Sequence, residues 1–136
     1  MNALVPAMVL VAALQGTMET IVRDNMSHVE ETTQIVAKTP VEWAALWRLH
    51  AGDQAPPPKV DFTTRMVVAV FLGSRPSAGY AVEVSGTKTA GKTLIVEWSE
   101  RRPTPGNVSA QVITSPSHLV SIPKFDGQVT FRKVDR

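Results

Sequence analysis

Short apolar segments with a period of two residues recur along most of the 136-residue chain, separated by clusters of glycine, proline and polar residues. Alternation of this kind predicts β-strands, because successive side chains of a strand point to opposite faces. The segment 66–72 (MVVAVFL) is apolar at every position, which predicts a strand covered on both faces at the centre of a sheet. The predicted strands cover residues 17–24, 30–39, 66–72, 80–84, 93–100, 108–114, 118–123 and 128–134.

The segment 39–52 (TPVEWAALWRLHAG) instead has the period of an α-helix. Thr39 is suited to the N-cap and Pro40 to the first helical position, while the Glu42 side chain can complete a capping box. Gly52 provides a stop signal at the other end. The apolar residues recur at helical spacing and predict one stripe that packs on a sheet. This stripe contains Trp43, Leu46, Trp47 and either Leu49 or His50.

These elements together predict a mostly β domain with one helix, an α+β fold. We expect an antiparallel, sandwich-like domain with the amphipathic helix packed on it. Residues 53–59 (DQAPPPK) contain three consecutive prolines, which predicts an extended surface linker, since proline fits neither a helix interior nor a central strand. The residues expected to have a structural role are Trp43, Trp47, Gly73, Gly79, Tyr80 and Trp98.

The first residues have the character of a targeting segment. Residues 4–14 (LVPAMVLVAAL) are apolar, and the first charged residue is Glu19. Eleven residues are too few for a membrane-spanning helix, which needs about 20, but they match the apolar core of a secretory signal. We therefore expect residues 1–16 to be a signal peptide, and residues 17–136 to form a single extracytoplasmic domain, periplasmic or secreted. The alternative is a first buried strand or helix of a cytosolic domain.

Charge is distributed unevenly, although the net charge is only +2. Residues 1–64 carry 4 Lys/Arg and 7 Asp/Glu, whereas residues 65–136 carry 10 and 5. The imbalance predicts one basic side. Nucleic-acid binding requires a denser basic stripe with aromatic residues on it, and the chain has none. We therefore expect no nucleic-acid partner.

Residues able to hold a metal or a cofactor are sparse. The chain has no cysteine, so neither a disulfide nor a thiolate zinc site can form. His28, His50 and His118 do not fall at the spacing of a ligand pair. Residues 86–93 (GTKTAGKT) match the phosphate-binding pattern, but a strand pattern follows where that pattern requires a helix. We predict a hairpin loop at 86–92, and neither a metal nor a cofactor.

Catalytic patterns are also weak. Nucleophilic catalysis requires a serine held beside a base and an orienting acid. Ser115, Ser117 and His118 are close in sequence but do not form a nucleophile elbow, and a turn between two strands explains them better. Glu97 and Glu100 would flank an exposed strand end. We therefore expect that the protein is not an enzyme.

The segment 73–80 (GSRPSAGY) joins two predicted strands and is the first candidate for a binding loop. Pro76 fixes its own φ and biases the preceding residue toward an extended conformation, and the flanking glycines permit unusual backbone angles. The loop should therefore be stiff, with Arg75, Ser77 and Ala78 facing outward. A stiff loop loses little entropy when a partner docks on it. The alternative is a structural corner with no partner.

A second loop shares these properties. Residues 101–107 (RRPTPGN) contain two arginines and two prolines, which predicts a stiff, basic loop that could lie beside the first. The candidate protein-binding residues are Ser74, Arg75, Pro76, Ser77, Ala78, Arg101 and Arg102.

An ordered set of motifs resembles the C-terminal domain of the PrcB family of protease-complex subunits. The set reads G-x-x-P-x-x-G-Y, then E-x-x-P-x-P-G, then T-x-P-x-x-x-x-x-I-P, and the resemblance covers about residues 60–132. It implies a non-catalytic, exported bacterial domain that associates with or stabilises a protease. The family loop usually reads Pro-Thr-Gly-Gly-Tyr, and here Ser77 and Ala78 stand in place of the Thr and the first Gly.

Loop 73–80 also resembles, over a few residues, the NPTTGY loop of chagasin-like inhibitors of cysteine proteases. This second resemblance implies an alternative function, in which the loop inhibits a protease directly. In both cases the expected partner is a protein such as a protease, and no integral membrane span is expected.

Overall fold

Two β-sheets and one helix form the part of the chain that the structure describes. The computed structural model describes residues 17–53, 55–106 and 109–135. The predicted mostly β fold with a single helix is confirmed, whereas the predicted signal peptide, residues 1–16, lies outside the described residues. The elements are β1 (Glu19–Asp24), β2 (Thr33–Ala37), α1 (Pro40–Ala51), β3 (Arg65–Phe71), β4 (Ala81–Ala90), β5 (Thr93–Arg101), β6 (Ser117–Pro123) and β7 (Gln128–Lys133).

The first sheet has the strand order β1-β6-β3-β2, and all of its pairs are antiparallel. Strand β3 lies between β6 and β2 and is buried on both faces, as its continuous apolar sequence predicted. Its side chains alternate between two cores, because successive residues of a strand point in opposite directions. Met66, Val68 and Val70 pack toward the second sheet, and Val67, Ala69 and Phe71 pack toward α1.

The second sheet has the order β4-β5-β7. Strands β4 and β5 form an antiparallel hairpin, whereas β7 lies parallel to β5 on its other side. Apolar residues of β4 and β5 pack against β3 and β6, so the two sheets enclose the larger core. The molecule therefore has three layers, with α1, the first sheet and the second sheet in that order. The inward residues of the second sheet include Val82, Val84, Leu94, Val96 and Trp98, as predicted, and Tyr80 is half-buried against the same core.

Helix α1 begins and ends where its sequence signals predicted. The Glu42 N–H donates to Thr39 Oγ1 at 3.2 Å, and Gly52 closes the other end with φ +72°. The Glu42 carboxylate accepts from the N–H of Lys38 at 2.7 Å, so the capping box closes one residue before the cap. The helix buries its apolar stripe through Trp43, Leu46 and His50, with Trp47 half-buried and Leu49 exposed.

Two predicted elements differ in the structure. Residues 86–90 were predicted to be part of a loop but belong to β4, because each pairs with a residue of β5 and only Gly91 and Lys92 form the turn. The predicted strand at 108–114 is also wrong: described residues 109–113 lie outside any strand. Beyond them, Thr114 and Ser115 form single bridges with Arg75 and Met26. Arg75 and Met26 each pair with this segment at a single residue, so neither pairing extends into a strand.

Gly127, which immediately precedes β7, lies in close contact with the β4–β5 turn. A Cβ at Gly127 would overlap the carbonyl oxygen of Lys92, whereas a Cβ at Gly86 would meet nothing within 4 Å, and neither glycine has positive φ. We expect Gly127→Ala to lower the free energy of unfolding by about 2 kcal/mol or more, as overpacking does. Gly86→Ala is the matched control, with an expected change within about 0.5 kcal/mol. Urea denaturation of both variants measures the difference, and equal stability would contradict the close approach.

Candidate functional site

Loop 73–79 is fastened to the rest of the molecule through its backbone. The N–H and the C=O of Arg75 pair with those of Thr114 at 2.8 and 2.9 Å. Gly73 has φ +83° and lies so close to the backbone of residues 30–32 that a Cβ there would collide with it. The conformation of the loop is therefore held by hydrogen bonds in addition to Pro76. Two further N–H groups, of Ser74 and Ala78, donate to the carbonyl oxygens of Glu30 and Ala110.

The side chains of the loop alternate between solvent and the interior. Ser74, Pro76 and Ala78 are exposed, whereas Ser77 is only 7% exposed. The prediction that Ser77 faces outward is therefore wrong. Its carbonyl oxygen accepts from Thr114 Oγ1 at 2.9 Å, and its own Oγ accepts from the N–H of Gly79 at 3.4 Å. The alternation arises because this part of the loop runs beside Thr114 in an extended conformation.

Arg75 does not project freely into solvent, contrary to the sequence-based prediction. Its side chain is 24% exposed and turns toward strand β5, where Nε donates to Glu100 Oε2 at 2.9 Å. A guanidinium nitrogen also donates to the carbonyl oxygen of Ser74 at 3.0 Å. Arg75 therefore connects the loop to the second sheet, and its charge is largely engaged within the molecule.

Glu100 is the acceptor for a cluster of basic residues. Its side chain is 2% exposed, although the sequence placed it at an exposed strand end. Lys133 Nζ donates to Glu100 Oε1 at 3.2 Å, and Arg102 lies 3.9 Å from the same oxygen. Burial acts to raise the pKa of Glu100, but the hydrogen bonds from Arg75 and Lys133 hold that pKa below its ordinary value. The carboxylate is therefore charged at neutral pH and links the loop, β5 and β7.

The second candidate loop lies against the first. Pro103 packs so close to Gly79 that a Cβ on Gly79 would come within 2.6 Å of Pro103 Cγ. Gly79 does not have positive φ, so the position requires glycine for space and not for backbone geometry. Arg101 and Arg102, which precede Pro103, are both exposed. The structure thus brings the two predicted loops together but exposes the arginines of only the second.

A cavity of about 660 Å³ opens beside these loops. Its walls are the start of β4, the end of β5, residues 101–105 and Arg23 from β1. The Arg23 guanidinium lies 3.3 Å from the carboxylate of Glu83 across the cavity wall. The volume of this cavity is large enough to receive a ligand group.

His118, which the sequence analysis considered and rejected as a metal ligand, is buried between the two sheets. Its exposed fraction is 1%, and the N–H of Val84 donates to Nδ1 at 2.9 Å. Because Nδ1 accepts, the ring proton lies on Nε2, which donates to Thr20 Oγ1 at 2.9 Å. Burial, assisted by the Arg23 charge 3.5 Å from Nε2, lowers the pKa of His118 to about 4. His118 therefore holds β4 against β6 as a neutral ring.

A serine, a histidine and an aspartate meet at the end of α1, an arrangement that the sequence did not reveal. His50 Nδ1 lies 2.8 Å from Ser27 Oγ, and Nε2 lies 3.9 Å from Asp24 Oδ2. Ser27 is 6% exposed and His50 is 3% exposed, so a substrate has no access to the hydroxyl. Burial lowers the pKa of His50, which opposes the charged form that Asp24 would favour. This group therefore joins the β1–β2 connection to the helix.

Two further observations concern the described residues. They contain no cluster of three or more His, Asp or Glu side chains that could hold a metal ion. No helix among the described residues is long and apolar enough to cross a membrane.

Comparisons with known proteins give one match. The family model described as PrcB C-terminal matches residues 66–123, which run from β3 through β6. The match contains loop 73–79, the cavity walls supplied by β4 and β5, and His118. A search of curated proteins and a search of solved structures each returned no match.

The Arg75–Glu100 pair should contribute measurably to stability. Removing one partner leaves the other charge poorly solvated, so we expect Arg75→Gln and Glu100→Gln each to lower the free energy of unfolding by about 2 kcal/mol. Arg75→Glu should cost more, about 3 kcal/mol, since it places two carboxylates together. A double-mutant cycle by urea denaturation should give a coupling energy of about 1 kcal/mol or more. Strictly additive effects of R75Q and E100Q would show that the pair contributes nothing.

His118 should make stability depend on pH. The folded pKa of about 4 lies below the value of 6.5 for a free histidine, so the unfolded chain binds the proton more readily. Stability is therefore lost as pH falls below 6.5, by about 2 kcal/mol between pH 7 and pH 5. Chemical denaturation at several pH values should show this slope reduced in His118→Gln. An unchanged slope in H118Q would contradict the assignment.

Proposed function

We propose that the protein is a non-catalytic, exported protein-binding domain that acts as an accessory or stabilising subunit of a protease complex, because residues 66–123 match the family model described as PrcB C-terminal. The family match is the observation that carries this proposal. The resemblance of the motifs to a protease-complex subunit supplies the class of partner. The structure supports the proposal with a surface suited to protein binding.

This surface lies on the outer side of the small bridged region formed by loop 73–79, residue 26 and residues 113–115. Arg75 and Thr114 form a single antiparallel bridge, and Pro76 and Ile113 are their respective neighbours in the chain. Met26 bridges Ser115, the residue that follows Thr114, so the two bridges bring these parts of the chain close together. Met26 is 65% exposed, Ile113 is 72% exposed, and Pro76 is also exposed. We call these three residues the Met26–Ile113 patch.

The Met26–Ile113 patch combines two properties of protein-binding surfaces. Large apolar side chains in contact with solvent favour association, because a partner removes them from water. The backbone beneath them is fixed by the paired hydrogen bonds between Arg75 and Thr114, so little conformational entropy is lost on docking. Val112, which is 52% exposed, extends the apolar surface beside the patch.

A non-catalytic role is supported by the state of the polar groups that could otherwise react. The Ser27 hydroxyl and the His50 ring are almost inaccessible, and His118 Nδ1 is occupied by the Val84 N–H. A nucleophile must be reached by its substrate, and a general base needs a free lone pair near the reacting proton. These residues meet neither condition in the folded molecule.

The alternative, a chagasin-like inhibitor, needs a loop that can insert into the cleft of a protease. In loop 73–79 the Arg75 side chain is bonded to Glu100 and Ser77 is buried, which leaves Ser74, Pro76 and Ala78 for contact. The loop therefore offers three small side chains for contact, which favours docking on a surface over insertion of a long side chain into a cleft.

Capture from the source organism tests the proposal. The full-length tagged protein should co-purify with an active protease, and deleting its gene should shorten the lifetime of that protease. Ile113→Asp should reduce the recovered protease at least tenfold, because a charge would be buried in the contact. Val41→Asp is the matched control, since Val41 is 80% exposed on the helix, and it should recover the wild-type amount.

Three outcomes would contradict the accessory role. One is recovery of no protease, and another is equal recovery with I113D and the wild type. The third is an isolated complex whose protease is fully inhibited, together with inhibition of a papain-type enzyme by the purified protein. That result would establish the inhibitor in place of the accessory subunit.

A further inference from the structure

The cavity beside the two loops has a charge distribution that identifies a ligand class. Its charged lining consists of Arg23, Glu83, Glu100, Arg101 and Arg102. Glu100 is already neutralised by Arg75 and Lys133 at 2.9 and 3.2 Å, and Glu83 lies 3.3 Å from Arg23. The two carboxylates are thus engaged, and the basic residues outnumber them.

Arg101 and Arg102 supply the excess positive charge at the cavity mouth. Arg102 has a 72% exposed side chain, and its contact with Glu100, at 3.9 Å, is the longest that this carboxylate makes. Arg101 is exposed and forms no ion pair within the part of the chain that the structure describes. Arginine is suited to carboxylates because its planar group donates two parallel hydrogen bonds.

The remaining walls favour a peptide over a nucleic acid. Ala81, Val82, Pro103 and Pro105 line the cavity, and no aromatic ring lies among the described lining residues. Bases bind single-stranded sites by stacking on aromatic rings, which this lining does not provide. Aliphatic and proline surfaces instead pack against the aliphatic parts of a peptide. Pro103 also lies against Gly79, so the wall is held in place without a ligand.

We propose that this cavity binds an acidic segment of a protein partner, with Arg101 and Arg102 pairing with carboxylates and the proline wall contacting neighbouring aliphatic side chains. The volume of about 660 Å³ is in the range of sites that enclose a ligand of a few residues. The identification of the segment as part of a protein partner rests on the proposed function. The chemistry of the site does not depend on it.

Direct binding measurements with defined peptides test the proposal. Fluorescence anisotropy of the full-length protein would use a labelled peptide that alternates Glu and Asp with Val and Pro. Two further probes are the same peptide with Gln and Asn in place of the acids, and a single-stranded oligonucleotide of similar charge. We expect binding of the acidic peptide to weaken steeply with added salt and to exceed that of the amide peptide at least tenfold.

Substitutions locate the binding. The double variant R101Q/R102Q should lose at least tenfold in affinity for the acidic peptide while keeping the wild-type melting temperature, since both residues are exposed. Arg48→Gln is the matched control, because the Arg48 side chain is 74% exposed on α1 and does not line the cavity. The R48Q variant should bind the acidic peptide as the wild type does.

Several results would overturn the proposal. These are equal affinity for the acidic and amide peptides, an equal loss in R48Q, and tighter binding of the oligonucleotide. The test is separate from that of the proposed function. A protease that still co-purifies with R101Q/R102Q, when no acidic peptide binds the wild type, would contradict the cavity assignment alone. Peptide binding without any recovered protease would contradict the accessory role alone.

Discussion

The fold depends on strand β3, which is buried on both faces and shared by two cores. Its alternate side chains pack toward α1 on one side and toward the second sheet on the other. This strand of seven residues therefore joins the three layers, together with β6, whose Leu119 and Val120 also pack into the two cores. Hydrophobic burial on both faces of one strand explains why its sequence has no polar interruption between Met66 and Phe71. It also fixes the point from which loop 73–79 leaves the sheet.

The candidate site arises where buried polar groups add contacts between elements that the apolar cores already hold together. His118 joins β6 to β4 as a neutral ring, and Glu100 joins β5 to the loop through Arg75 and to β7 through Lys133. These buried polar contacts satisfy their donors and acceptors internally, which is the condition for tolerating them. As a result, the loop is rigid for structural reasons, and the surface left for partners consists of exposed apolar residues and the arginines after β5.

Local patterns in the sequence predicted the strands of the core, the helix and its cap, because period and capping chemistry act over a few residues. They could not predict that Arg75 turns inward, since its partner Glu100 is 25 residues away and comes close only through the sheet pairing. The contact between Ser27 and His50 and the parallel pairing of β7 with β5 could not be predicted either, because they also join residues that are distant in the sequence. The alternating pattern at 108–114 wrongly predicted a strand. A strand also needs a neighbouring strand that stays in register, and described residues 109–113 have none.

The parallel placement of β7 has a consequence for the integrity of the second sheet. Strand β7 covers the side of β5 that would otherwise present unpaired backbone groups next to Leu94, Val96 and Trp98. An uncovered, apolar strand of this kind readily recruits other chains into intermolecular sheets. Detachment of β7 would open this border of β5 and uncover the core residues that Val129 and Phe131 pack against. Detachment of β7 is therefore a route from the folded domain to aggregation.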